Sequence, residues 1–266
     1  MIELSRTVRF CLNADGSLAA DAPVSNSFAF WPPMRHLGRY YELTLTCRGE
    51  ADADTGYFIN IKQIDQAARD HVLPLISTAA QRAEAPLGQL MRDVLHATAA
   101  PLNGCTIAAR LQLTPTYSLT LEEADMDHLL LTQSYEFAAA HRLHSPALSP
   151  EQNREVYGKC NNPAGHGHNY RAEITLRCPV DASGHVLPVE KVDAVVDEAV
   201  IQKLDHKNLD CDVPAFAEDT SSVENISRVV YELLEQPVQQ LGVTLDSVRI
   251  WETSKTSCVF KRSACR

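Results

Sequence analysis

At 266 residues and 45% hydrophobic, the chain can hold one large domain or two small ones, each burying its own core. Its net charge of −10 excludes a general nucleic-acid binder, because phosphate backbones attract basic patches and no Lys/Arg cluster stands out along the sequence. No apolar run reaches the length of a bilayer span, and the start Met1-Ile2-Glu3-Leu4-Ser5-Arg6 lacks the charged-then-apolar pattern of a signal peptide, so a soluble, cytoplasmic protein without membrane partners is expected.

In chain order, Tyr41 to Cys47 alternates as a half-buried strand does, and Gly56 to Asp65 reads as a strand running into a helix. Leu87, Leu90, Met91, Val94 and Leu95 follow with helical spacing, and Cys105 to Leu113 reads as a strand. The acidic stretch Leu121 to Asp127 has little periodicity of either kind and is taken as a join. Beyond it the same order returns. Ala172 to Cys178 echoes the first strand, Gly184 to Asp193 echoes Gly56 to Asp65, Ile226, Val229, Val230, Leu233 and Leu234 make a second helix, and Ser247 to Glu252 a last strand. A tandem duplication is the simplest organisation, with domains 1–125 and 126–266. Each half reads as two strands, a helix, further strands and another helix, an α+β class with helices on one face of an antiparallel sheet.

The downstream half carries the chemistry. His166 and His168, in Gly165-His166-Gly167-His168, stand two apart on a strand and project from one face, so both imidazoles can grip one metal ion. His141 can close the set. Three imidazoles leave the fourth position of a tetrahedral zinc open, the arrangement of catalytic rather than structural zinc. The plainer alternative is a pair of half-exposed polar residues. Eight scattered cysteines with no CxxC spacing, from Cys11 to Cys265, are expected to be reduced thiols, Cys47 and Cys178 as small buried hydrophobes. Cys160 differs, since it lies in a Pro-Gly loop six residues ahead of His166.

Phe137-Ala138-Ala139-Ala140-His141-Arg142-Leu143, Lys159 to Tyr170, Leu204 to Asp210, Val223-Glu224-Asn225 and Trp251-Glu252-Thr253 together resemble the 6-pyruvoyltetrahydropterin synthase and 6-carboxytetrahydropterin synthase family, which adopts the tunnelling fold. The resemblance covers about the second half of the chain. It implies tandem tunnelling-fold units, a zinc ion on His141, His166 and His168, and 7,8-dihydroneopterin triphosphate as the small-molecule substrate. Cys160 as thiolate would abstract a proton and His206 return one, with Asp205 keeping the imidazole basic although adjacent side chains need not touch. The resemblance assigns the pterin anchor to Glu252, whose carboxylate suits two parallel N–H donors, while Glu224 and Ser222 would cap or position the helix beneath the substrate. Val223 stands where the family often has a small hydroxyl residue.

A homo-oligomer with sites at subunit or domain interfaces is implied as well. The product expected is 6-carboxytetrahydropterin of the queuosine and deazapurine pathway, with 6-pyruvoyltetrahydropterin of the tetrahydrobiopterin pathway or a non-catalytic pterin-binding module as alternatives. A zinc hydrolase of different substrate class is a further alternative, though the His-Glu-x-x-His helix signature of zinc proteases is missing. Overlaid on the second half, the first has Arg35 and Leu37 where His166 and His168 stand, Ala14 near His141, Ser77 and Thr78 for Asp205 and His206, and Leu113 for Glu252. His36 and His71 lie off these positions. The first half is therefore expected to be a degenerate, metal-free copy.

Overall fold

The computed structural model describes residues 1–16 and 31–262. The chain forms two compact units, one of Met1–Leu131 with Cys178–Val186, the other of Thr132–Arg177 with Leu187–Arg266.

In the first unit β1 (Ile2–Leu12) pairs antiparallel with β2 (Arg39–Gly49) along its whole length, from Ile2 opposite Gly49 to Leu12 opposite Arg39. The chain then makes α1 (Ile61–Ala67), one π turn at Ala68–Val72, α2 (Leu73–Ala80) and α3 (Leu87–Ala99). It returns to the sheet as β3 (Thr106–Gln112) beside β2 and β4 (Tyr117–Glu122) beside β3. The period-two pattern explains the layer. Val8, Phe10, Leu43, Leu45, Cys47, Ala109, Leu111, Leu119 and Leu121 are all buried, and so are Leu90, Met91, Val94 and Leu95 on one stripe of α3. Burying each large side chain stabilises the unit by about 1.5–3 kcal/mol before chain entropy is counted.

β5 (Asp125–His141) contributes its first residues to this unit and, from Thr132, to the second. The second unit continues with α4 (Pro150–Tyr157), β6 (His166–Pro179), α5 (Val189–Val196), a π turn at Asp197–Ile201 and the short α6 (Gln202–Leu204). After β7 (Lys207–Asn208) and α7 (Leu209–Asp212) come the long α8 (Val223–Gln240), β8 (Thr244–Thr253) and β9 (Thr256–Phe260). β6 and β8 pair antiparallel with Arg171 opposite Trp251, β9 extends β8, and β7 lies parallel to β5 at Ala139 and Ala140. Ile226, Val229, Val230 and Leu234 of α8 are buried, as are Ile174, Leu176, Val248 and Ile250 on the strands.

The α+β class and the antiparallel sheets with helices agree with the sequence reading; the order within a unit does not. In the first unit the helices come consecutively between β2 and β3, whereas in the second α4 falls between β5 and β6 and β7 between α6 and α7; residues 56–60 and 184–188, expected to run as strands into the helices, are irregular. The supposed join is also structured. Glu123 and Ala124 form a tight turn between β4 and β5, and the acidic residues clustered at that turn mask the alternation that buries Leu119, Leu121, Leu129 and Leu131. Cys47 and Cys178 are fully buried, as expected of small hydrophobes; Cys265 lies outside the described residues. Among the described residues no helix is long and apolar enough to cross a membrane.

Candidate active site

β5 ends on His141, and the chain returns through α4 and a tight turn at Gly158–Asn161 to start β6 on His166. Gly165 makes that entry possible. It sits at φ +71°, and a Cβ there would come within 3.1 Å of the His141 carbonyl. Alternation along β6 puts His166, His168 and Tyr170 on the side of buried Ala172 and Ile174, facing His141 at the end of the buried series Phe137, Ala139.

The ligand nitrogens of His141, His166 and His168 lie within 4.8 Å of one another, and Nε2 of His141 is 3.1 Å from Nε2 of His166. His141 is fully buried and its Nδ1 is 2.7 Å from the Ser221 carbonyl, which makes Nδ1–H the donor and leaves the Nε2 lone pair toward the other rings. Ser221 in turn donates its hydroxyl to Asp210, 2.6 Å away, whose other oxygen accepts the Arg142 backbone N–H at 2.5 Å. Burial first, then the neighbouring imidazoles, hold the pKa of His166 below the usual histidine value. Burial does the same for His168 against the opposing pull of Glu252. Neutral rings are what a metal needs.

The fit to a divalent cation rests on the donors themselves. Nε2 of His168 and Nδ1 of His166 are buried with no hydrogen-bond partner. Two nitrogens on a tetrahedral zinc stand about 3.3 Å apart, close to the spacing of the His141 and His166 pair. An orphaned nitrogen on His168 and the facing Nε2 atoms of His141 and His166 suit an imidazole-bound ion.

Glu252, at the end of β8, brings one carboxylate oxygen to 3.6 Å from His141 Nε2 and 3.8 Å from His168 Nε2, so the residue expected to hold the pterin sits against the imidazole cluster. Asp205 and His206 do touch, contrary to the looser expectation: Nδ1 of His206 lies 2.8 Å from the Asp205 carboxylate. The Ala138 N–H donates to the other Asp205 oxygen, and this bond, with the His206 contact, holds the carboxyl below its ordinary range. The His206 N–H donates back to the Ala138 carbonyl at 2.6 Å, pinning His206 in the left-handed region at φ +56°. That strain aims an exposed ring, and His206 and His168 line one cavity of about 550 Å³ together with Ala138 and Asn169.

Cys160 sits on the Gly158–Asn161 turn, half-buried, its carbonyl accepting the Leu143 N–H; its sulfur is not among the atoms of the imidazole cluster. Ser222 caps α8 through the Asn225 N–H, and Glu224 is exposed in the first turn. The neighbouring Ser221 is the residue that reaches the cluster. Its contact to His141 is a backbone carbonyl, which carries no signal in the sequence, and it is Asp210, the last residue of the Leu204 to Asp210 stretch, that holds the Ser221 hydroxyl. Tyr170, stacked on Phe137 with ring centroids 5.1 Å apart, keeps a fully buried hydroxyl with no hydrogen-bond partner, and burial pushes its pKa well above the usual phenol value.

The family model described as 6-pyruvoyl tetrahydropterin synthase matches residues 130–263. The chain belongs to that family. The 6-pyruvoyl tetrahydrobiopterin synthase of Poecilia reticulata is 43% identical over 133 residues, 49% of this chain and 88% of the relative. The human protein of the same name is 42% identical over 132 residues, 49% of this chain and 90% of the relative. The solved structure of Caenorhabditis elegans 6-pyruvoyl tetrahydropterin synthase is 37% identical, covering 51% of this chain and 96% of that one with a TM-score of 0.48. The family match begins at residue 130 and so contains the whole imidazole cluster with Cys160, His206 and Glu252.

Proposed function

We propose that the second unit is a zinc-dependent pterin lyase that eliminates triphosphate from 7,8-dihydroneopterin triphosphate and leaves 6-pyruvoyltetrahydropterin. The observation that carries this reading is the shared cavity: a member of the imidazole cluster, His168, and a carboxylate-paired histidine, His206, open onto one space. The pyruvoyl product replaces the carboxy product expected from the sequence, because relatives at 42–43% identity are named for the pyruvoyl reaction and the Cys160-Asn161-Asn162-Pro163-Ala164-Gly165-His166-Gly167-His168 loop resembles that branch.

His141, His166 and His168 would hold the ion, which when bound supplies Lewis acidity toward the hydroxyls of the substrate side chain. His141 is fixed for this by the Ser221 carbonyl, and Ser221 by Asp210. With Nδ1 bonded to Asp205, His206 presents Nε2 as the end that takes or returns a proton. Cys160 Sγ is the second proton acceptor, on a turn that leaves the side chain half-open to solvent. Glu252, half-buried, accepts the paired N–H groups of the pterin edge, and leaving its carboxylate unpaired selects against ligands that lack those donors. The first unit is a copy without this machinery, and the chain assembles as a homo-oligomer.

Mass spectrometry of the product from dihydroneopterin triphosphate tests the reading. Triphosphate release with a 6-pyruvoyltetrahydropterin mass is expected, and Cys160→Ala should lower the rate ~10²–10⁴-fold while zinc content is unchanged. Acetaldehyde with 6-carboxytetrahydropterin would reverse the product assignment. No triphosphate release from zinc-loaded protein would make the unit a pterin-binding module.

A further inference from the structure

Three cations from one stretch of the chain, Arg142 to Lys159, meet around one cavity of the second unit. Arg142, Arg154 and Lys159, with His144, line a space of about 330 Å³ between the end of β5, α4 and the Gly158–Asn161 turn, and no carboxylate lines it. In a chain of net charge −10 such a concentration of one sign needs a reason. All three share one concave wall.

The frame is built rather than incidental. Asn161, 7% exposed, donates its side-chain amide to the Leu143 carbonyl at 2.7 Å and to Nδ1 of His144 at 3.1 Å, while its own carbonyl accepts Nε–H of Arg142 at 3.1 Å. One buried residue therefore holds two of the lining side chains. Because Nδ1 of His144 accepts that amide, its proton resides on Nε2, which makes the ring a donor. Asn153, fully buried at the base of α4, accepts the Ser145 N–H and donates to the Ser145, Leu148 and Ser149 carbonyls, tying the helix to the same turn. Arg142 uses only Nε in this frame, and among the described residues neither its terminal nitrogens nor the Lys159 ammonium has a protein hydrogen-bond partner. Arg154 is the exception, since it pairs with exposed Glu151 at 2.8 Å.

A planar guanidinium fork, an ammonium and a neutral imidazole N–H converging on one cavity are donors without acceptors, the chemistry of a phosphate chain. The cavity adjoins the candidate site through the backbone: Arg142 follows His141, and Lys159 precedes Cys160. We propose that this cavity is the polyphosphate subsite of the unit, holding the triphosphate that the elimination releases; the assignment of that triphosphate to a substrate rests on the lyase reading above.

Calorimetric titration of the full chain with inorganic triphosphate in excess magnesium tests the subsite without turnover. Binding is expected, and Lys159→Ala and Arg142→Ala should each weaken it about tenfold or more. Lys159 is exposed, so its replacement leaves the frame intact even if the Arg142 variant is damaged. No binding, or equal affinity in the Lys159 variant, overturns the subsite whatever the protein catalyses. With dihydroneopterin triphosphate as substrate, the Lys159 variant should raise KM by a similar factor, and inorganic triphosphate should compete with substrate. Inhibition that substrate cannot relieve would mean a separate anion site and overturn the assignment. Competent triphosphate binding in a protein that releases none from the pterin would retain the subsite and sink the lyase reading instead.

Discussion

The two units share a scaffold and differ where the chemistry sits. β1 and β2 correspond to β5 and β6, a π turn follows α1 in the first unit and α5 in the second, at Ala68–Val72 and Asp197–Ile201, and each unit uses an aspartate on that helix to hold its first strand. Asp65 takes two bonds from Arg6, at 2.7 and 2.6 Å, and Asp193 accepts the Tyr135 hydroxyl at 2.8 Å. Aligned on those contacts, the buried series Val8, Phe10, Leu12 matches Phe137, Ala139, His141, so Leu12 rather than Ala14 stands where the buried histidine does. β2 begins only at Arg39, the position of Tyr170, whereas β6 extends back to His166. Leu37, aligned with His168, is almost wholly exposed. The core of such a unit depends on alternation alone and survives the loss of every ligand. The imidazole site needs four more strand residues, a glycine at positive φ and a carbonyl at the start of α8.

The largest effect that would sharpen this comparison is in the cores. Leu45 and Leu176 are fully buried at corresponding places, and each change to alanine should cost about 2–5 kcal/mol in chemical denaturation. A neutral Leu45→Ala would mean that the first unit is not a packed copy.

Smaller, and specific to the second unit, is the cap of α8. Ser222→Ala should destabilise by about 1 kcal/mol and leave zinc content unchanged, since its hydroxyl serves the helix and Ser221 serves His141. The matching helix α3 starts at Pro86 with no side-chain cap, so the first unit has no such contribution to lose. Loss of zinc in Ser222→Ala would tie the cap to the metal cluster.

Much of this was legible in the residues. Strands such as Tyr41 to Cys47 and Ala172 to Cys178 announce themselves because one face is buried and the other is not, and the i, i+2 histidines are readable for the same reason. The β4–β5 hairpin was hidden because its acidic turn interrupts the pattern at the point where the chain reverses. Ser221 was unreadable because its contribution to His141 is a carbonyl, which every residue possesses. The Arg142, Arg154 and Lys159 cluster is not legible in the sequence because a turn and a short helix, not sequence spacing, bring the charges together.

The central claim is that the metal chemistry belongs to the second unit alone, on His141, His166 and His168. Elemental analysis of zinc-loaded protein after exhaustive dialysis tests it most directly. One zinc per chain is expected, falling to none when His166→Ala and His168→Ala are combined. Two zinc ions per chain, or one that survives the double substitution, would contradict it.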